Sequence, residues 1–293
     1  PGEEGGAGQE VRHQEGVATP PRRRLDAELV RRGLAPSREQ ARAEVDAGRV
    51  VVAGTVADKA ARLVAADEAV VLTGSRPRFV SRGGEKLDAA LARFGIDVTG
   101  RRVLDAGAST GGFTDCVLQR GAAGVVAVDV GYGQIHERLR ADPRVIVRER
   151  TNVRHLAPGA LDPPAEVVVA DLSFISLRVV LAPLLANAAP GADLVLLVKP
   201  QFEAGRVEAS RGRGVIRDLD VRARVLVEVG VALDDAGAAI MGAMVSPLLG
   251  ADGNVEFLLH AVAPGPDAAT VTGPAEPVDL DAVARLDPGL APP

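Results

Sequence analysis

Five apolar runs, each leading into a polar residue, set the tightest limit on how this 293-residue chain can fold. They are Val103-Leu104-Asp105, Val125-Val126-Ala127-Val128-Asp129, Val145-Ile146-Val147 with Asn152 beyond it, Val167-Val168-Val169-Ala170-Asp171, and Leu194-Val195-Leu196-Leu197-Val198-Lys199. Runs without alternation suit strands covered on both faces. The polar residues stand 24, 23, 19 and 28 positions apart, each about one strand-plus-helix unit. Such a rhythm puts Asp105, Asp129, Asn152, Asp171 and Lys199 at the carboxyl ends of parallel strands, where open α/β sheets bind ligands. A helix over Leu219 to Leu233 and strands over Ala239 to Val245 and Val255 to His260 complete the pattern. The expectation is an α/β fold with a doubly wound, mostly parallel, seven-stranded Rossmann-like sheet.

The first run opens into Asp105-Ala106-Gly107-Ala108-Ser109-Thr110-Gly111-Gly112-Phe113-Thr114. Glycines there allow positive φ and close backbone approach, and a helix starting near Phe113 would turn its N-terminal amides toward a ligand. A tight turn with no ligand would use the same residues. The spacing Gly107-x-x-x-Gly111-Gly112 differs from G-x-G-x-x-G, and Ser109 stands where a dinucleotide fingerprint wants its second glycine. A nucleoside cofactor lacking a pyrophosphate fits better, with Asp129 placed to accept from ribose hydroxyls.

Ahead of this domain lies a basic module. Residues 22–82 carry 13 Lys and Arg against 8 Asp and Glu, a net of +5, on a chain whose total is −5. Leu25, Leu29 and Val30 give one helical face, Ser37 caps a second helix through Ala41 and Val45, and Val50-Val51-Val52, Val56 and Val70-Val71-Leu72 suggest short strands. A cationic surface with few aromatics suits recognition of folded RNA through its backbone; a solvated face is the plainer alternative.

Lysine usage sharpens the search. Of 34 cationic residues only Lys59, Lys86 and Lys199 are lysine. Where arginine has replaced lysine almost throughout, a retained lysine marks a place where a compact ammonium that can shed its proton is needed, or an accident. One cysteine, Cys116, rules out an intrachain disulfide, and His13, His136, His155 and His260 have no metal-ligand spacing, so no metal is expected. The start of the sequence has no apolar signal-like core, and Ala236 to Ala251, the longest uncharged apolar stretch, is too short and too broken by Gly and Pro to span a bilayer. A cytoplasmic protein without a membrane role or an obligate protein partner is expected.

Two resemblances follow from these residues. The order of basic helices and short strands around Gly48-Arg49-Val50-Val51-Val52-Ala53-Gly54 resembles the alpha-L RNA-binding module of ribosomal protein S4. That likeness implies phosphate contacts from Arg23, Arg24, Arg31, Arg32, Arg38 and Arg42. Residues 81 to about 262 are similar to the FtsJ-type 2′-O-ribose methyltransferases, and the two modules together resemble the TlyA family of ribosomal RNA methyltransferases, some of whose members carry haemolysin names. The motifs are Ser81-Arg82-Gly83-Gly84-Glu85-Lys86-Leu87, the Asp105 loop, Asp171-Leu172-Ser173-Phe174-Ile175-Ser176, Lys199-Pro200-Gln201-Phe202-Glu203 and Gly253-Asn254-Val255-Glu256-Phe257.

This likeness implies S-adenosylmethionine as methyl donor, ribosomal RNA or ribosomal subunits as partner, a cytidine ribose as acceptor, and a catalytic tetrad on Lys86, Asp171, Lys199 and Glu256. Lys199 would be the general base, with its proton affinity lowered by its surroundings, and the carboxylates would hold the two ammoniums. The cofactor would lie against Asp105, Gly107, Ser109, Thr110, Gly111, Gly112, Asp129 and Asn152. Arg82 and a basic loop containing Arg206, Arg211 and Arg213 would add RNA contacts. Phe113, Phe174, Phe202 and Phe257 fall near motifs, with apolar packing expected over base stacking. The competing class is a membrane-active haemolysin or an RNA-binding protein without catalysis. Expected domain limits are a disordered tail to residue 21, the RNA-binding module over 22–74, a linker over 75–82, the methyltransferase domain over 83–262 and a disordered acidic tail over 263–293.

Overall fold

The computed structural model describes residues 22–46, 48–74, 77–205, 208, 212, 214–265, 274 and 276–288. Two compact units divide the chain, Pro1–Arg76 and Pro77–Pro293. In the first, β1 (Arg23–Arg24) leads into α1 (Leu25–Arg31) and α2 (Arg38–Asp46), followed by β2 (Val50–Val52), β3 (Thr55–Val56), β4 (Leu63–Val64) and β5 (Val70–Leu72). Ser37 does cap α2, its hydroxyl accepting the Gln40 N–H at 3.2 Å. Leu25, Leu29, Ala41, Val45, Val50, Val52 and Val64 close a small core between the helix pair and the strands. The two-residue ladder of β1 with β4 is too short to leave any sequence period.

The second unit runs α3 (Gly83–Phe94), β6 (Arg102–Ala106), α4 (Gly112–Gln119), β7 (Gly124–Val128), α5 (Glu137–Arg140), β8 (Val145–Arg148), β9 (Ala165–Ala170), α6 (Leu177–Leu185), β10 (Ala188–Val198), α7 (Pro200–Glu203), α8 (Leu219–Asp235), β11 (Ala239–Val245), β12 (Phe257–Val262) and α9 (Leu280–Ala284). Its seven-stranded sheet has the order β11-β12-β10-β9-β6-β7-β8. Only pairings with β12 are antiparallel. Alternate residues of each strand feed different cores. Leu104, Val168, Leu194 and Leu196 join the core shared with α6 and α8, whereas Val103, Val167, Val169, Val195 and Leu197 join the core shared with α3 and α4. Strands that must be apolar on both sides therefore carry the unbroken β-branched runs seen in the sequence.

Three expected boundaries need correction. The linker of 75–82 is shorter than expected, because Phe79 is buried against Gly84 and Val80 donates its N–H to Asp115 at 2.8 Å, tying both to the second unit. The tail after 263 is not wholly irregular: α9 buries Leu280 and Ala284, and Leu280 sits so close to Gly230 of α8 that a Cβ there would lie 2.4 Å from it. Five residues are too few for helical periodicity to stand out among prolines and acids. The last strand begins at Phe257, after the expected Val255. The tail to residue 21 lies outside the described residues.

Candidate active site

Register builds the site. Ala106 of β6 lies beside Ala170 of β9, which puts Gly107 next to Asp171 at the point where successive strands turn to opposite sides of the sheet. The Asp171 N–H donates to the Ala106 carbonyl at 3.0 Å. Gly107 adopts φ 87°, and a Cβ on it would stand 2.4 Å from the Asp171 carbonyl oxygen, so any side chain would be rejected twice over. At Gly112, which opens α4, a Cβ would fall 2.2 Å from Ser81 Oγ. On the other side of the site Val198 of β10 pairs with Phe257 of the antiparallel β12, bringing Lys199 and Glu256 to the same edge from neighbouring strands.

A cavity of about 370 Å³ opens along this edge. Gly107, Ser109, Thr110 and Gly112 line one part of it, and Lys86, Asp171, Lys199 and Glu256 another. Lysine and carboxylate pair two by two. Lys86, fourth residue of α3, is buried and its ammonium donates to Glu256, which is 2% exposed. Lys199 Nζ stands 2.6 Å from Asp171 Oδ1 and donates to Ser173 Oγ at 3.1 Å. The first of these contacts is an ion pair without hydrogen-bond alignment, since Asp171 Oδ1 has no directed donor. An ammonium carries three donors and Ser173 takes one, so Lys199 keeps donors for a further oxygen.

The expected cofactor residues separate into two layers. Ser109, Thr110, Gly107 and Gly112 line the cavity, while Asp105, Gly111, Asp129 and Asn152 do not. Strand parity turns Asp105 under α4, where Thr114 Oγ1 donates to its Oδ2 at 2.6 Å and its Oδ1 has no partner. Burial pushes this carboxyl up to about 7, and the nearby charges of Asp171 and Asp129 act in the same direction. Asp129 accepts the Ser109 N–H at 2.8 Å and the Gly131 N–H at 2.7 Å, thereby shaping the glycine loop. Asn152 caps a short helical turn by accepting the Arg154 N–H at 3.0 Å.

The phenylalanines also divide. Phe113 and Phe257 are core residues, as the packing reading expects. Phe174 is different: it is 90% exposed, sits at φ 65° and lines the cavity. Its ring stands 5.0 Å from that of Phe202, whose other neighbour is the Lys199 ammonium at 5.9 Å. Three further polar groups have no forecast in the sequence. Ser173 holds Lys199, Gln201 presents a buried side-chain oxygen without a hydrogen-bond partner beside the cavity, and Glu203 accepts from the Ser176 hydroxyl at 2.5 Å and the Leu177 N–H at 2.6 Å. Only the motif membership of these residues could have pointed to them.

Arg82 lines the cavity. Arg206, Arg211 and Arg213 lie outside the described residues. In the first unit Arg23 and Arg24 are exposed, and Arg24, Arg31, Arg38 and Arg42 all keep about half of their side chain in solvent while pairing with a carboxylate. Arg32 departs from its expected role: at 19% exposure it donates to Glu28 and to the carbonyls of Ala65, Ala66 and Glu68, so it clamps the fold. The retained lysines sort likewise, with Lys59 exposed on a turn and the other two in the cavity. Among the described residues no helix is long and apolar enough to cross a membrane.

Comparison with known proteins matches residues 79–262 to the FtsJ-like methyltransferase family and residues 23–70 to the S4 domain. The 16S/23S rRNA (cytidine-2′-O)-methyltransferase TlyA of Mycobacterium tuberculosis is 53% identical over 239 residues, covering 81% of this chain and 89% of that protein. Hemolysin A of Brachyspira hyodysenteriae is 39% identical over 82% of this chain and 99% of its own. A solved structure from Streptococcus thermophilus that bears a provisional hemolysin name superposes with a TM-score of 0.69 at 38% identity, covering 91% of this chain and 95% of that one.

Proposed function

The chain belongs to the FtsJ-like methyltransferase family and carries an S4 domain ahead of the catalytic domain; from that premise we propose that it moves a methyl group from S-adenosylmethionine to the 2′-hydroxyl of a cytidine in ribosomal RNA. The observation that carries this reading is the meeting of two lysine–carboxylate pairs, Lys86 with Glu256 and Lys199 with Asp171, beside a loop whose glycines admit no side chain. The acceptor follows from the relative's chemistry, and a site of action among ribosomes, in the cytoplasm, follows from the acceptor.

The residues present suit the methyl donor. Gly107 and Gly112 let the loop pack directly on the Asp171 carbonyl and on Ser81, where a Cβ would collide, Ser109 and Thr110 add hydroxyls at the cavity, and the loop-shaping Asp129 adds a carboxylate that suits a cationic sulfonium ligand. Bound there, S-adenosylmethionine supplies an electrophilic methyl group. The rest is done by the protein's own side chains. Lys86, fixed by Glu256, orients the acceptor hydroxyl and stabilises negative charge as it develops on oxygen. Lys199, held between Asp171 and Ser173, first releases its own proton to solvent and then, as the neutral amine, takes up the hydroxyl proton. Phe174 offers an exposed aromatic face at the cavity for the base of the target nucleotide, and Arg82 a cation for its phosphate. A base-paired ribose presents its hydroxyl poorly, so the nucleotide is drawn out before transfer. Arg23, Arg24, Arg38 and Arg42 dock the surrounding RNA.

The test is transfer of labelled methyl to purified ribosomal subunits, with the modified ribose mapped afterwards. Wild type should label a cytidine ribose and Lys199→Ala should not. Absence of transfer by wild type rejects the reading, and lysis of erythrocytes by purified protein free of RNA would favour the haemolysin class instead.

A further inference from the structure

Two buried carboxylates sort the arginines of the first unit into different tasks. Asp26, wholly buried at the start of α1, accepts from Arg24 Nε at 3.1 Å and Nη2 at 3.0 Å, from Arg38 Nη2 at 3.0 Å, from Arg42 Nε at 3.3 Å and from the Ala27 N–H at 2.8 Å. Its three arginine side chains remain 44%, 53% and 56% exposed. Glu28, 1% exposed, instead takes Arg31 and Arg32, and Arg32 gives its remaining donors to backbone carbonyls.

We propose that Asp26 is a positioning residue that assembles Arg24, Arg38 and Arg42 into one preformed site for a phosphodiester of folded RNA. This rests on the RNA-binding reading of the first unit and goes beyond it by naming the site and what builds it. Left alone, the guanidiniums of Arg24 ahead of α1 and of Arg38 and Arg42 on successive turns of α2 would repel one another and sample many rotamers. One carboxylate beneath them removes a single charge from three, leaves a net +2 at one place, and fixes the side chains before a phosphate arrives. Each guanidinium has five N–H donors, and the contacts to Asp26 use only two of them on Arg24 and one each on Arg38 and Arg42, so donors remain for phosphate oxygens. Arg24 beside it holds the Asp26 carboxyl far below the usual carboxylate range, which keeps the organiser ionised wherever RNA is bound.

The proposal has a sign that simple electrostatics does not. Deleting an acid from a cationic face should tighten RNA binding if only net charge mattered; deleting Asp26 should weaken it. Binding of the full-length chain to purified ribosomal subunits is measured across a salt series for wild type, Asp26→Asn, Arg38→Gln, and the triple Arg24→Gln/Arg38→Gln/Arg42→Gln with and without Asp26→Asn. The expected result is a loss of about tenfold for Asp26→Asn with a shallower salt dependence, a comparable loss for Arg38→Gln, and no further loss when Asp26→Asn is added to the triple variant. Equal or tighter binding by Asp26→Asn overturns the proposal. Should Asp26→Asn fail to fold, the exposed Arg38→Gln carries the test, and unchanged affinity there overturns it. Cofactor affinity, which resides in the other unit, should stay at the wild-type value in every variant. Wild type that neither binds nor methylates subunits would be a failure of the broader RNA reading; wild type that does both while Asp26→Asn binds equally well sinks this site alone.

Discussion

The RNA-facing surface of the first unit and the cavity of the second hold cations on carboxylates in different ways. In the first, one carboxylate gathers several arginines whose outer donors stay in water. At the cavity of the second, Glu256 and Asp171 each take one lysine. Guanidinium never gives up its proton and offers a planar fork, which suits many weak contacts to phosphate; ammonium is a compact charge that can shed a proton when a reaction requires it. Arginine has displaced lysine across nearly the whole chain, and the exceptions with partners are the two at the cavity. On the proposed function, the contrast separates charge used for holding from charge used for chemistry.

The comparison breaks most visibly at Lys199. Lys199→Arg keeps the positive charge, yet should lower methyl transfer by about 10² to 10⁴-fold, with cofactor affinity by calorimetry within about twofold of wild type. An active arginine variant would erase the distinction. Next comes the pair behind it. Glu256→Gln strands the Lys86 ammonium in a site that is 10% exposed, and removing one partner of a buried pair costs about 3–5 kcal/mol; urea unfolding should register most of that, whereas Glu256→Gln paired with Lys86→Met should recover stability without activity.

Acid–base behaviour gives a third, smaller difference, with opposite signs in the two units. Asp26 and Glu28 are held low by Arg24 and Arg31 respectively, so their contribution to stability is complete above pH 4.5 and is lost as pH falls below that value. Asp105 is raised from 3.8 to about 7 by burial, so its contribution is complete at low pH and declines as pH rises through that interval. Between about pH 4 and pH 7 wild type should therefore lose stability relative to Asp105→Asn, which is neutral throughout; a constant gap in denaturant melts would contradict this. The smallest effect belongs to Lys59, exposed on its turn: Lys59→Arg should change stability by no more than about 0.5 kcal/mol and leave transfer untouched.

Much of the second unit was legible because its constraints are local and repeated. A strand covered on both faces must be apolar at every position, and the polar residue that ends it is visible as a break, which is how Asp171 and Lys199 emerged. Scarcity of lysine added Lys86. What sequence could not supply were partners chosen at a distance: that Asp26 would bind three arginines and Glu28 two, that Arg32 would be consumed by carbonyls 33 to 36 residues away, or that Glu203 would reach back to Ser176 and Leu177. Charge counts treat those arginines alike. Phe174 departs from the packing expectation for a related reason: an aromatic in an apolar neighbourhood is ordinarily packed, but its left-handed backbone accompanies 90% exposure. Asp105 looked like a ligand contact, but strand parity sends it under α4.

The position of β12 has a consequence for when the enzyme can exist. Among the described residues the last strand in chain order is not added at an edge; it slots between β10 and β11, which precede it in the chain. Glu256 arrives with it, 57 residues after Lys199. A nascent chain could complete the glycine cradle and both lysines while still lacking the partner of Lys86, and would be inert until the sheet accepts its final insertion. On the proposed function, competence to modify RNA therefore requires β12 to be in place, a dependence that the strand order provides without any added part.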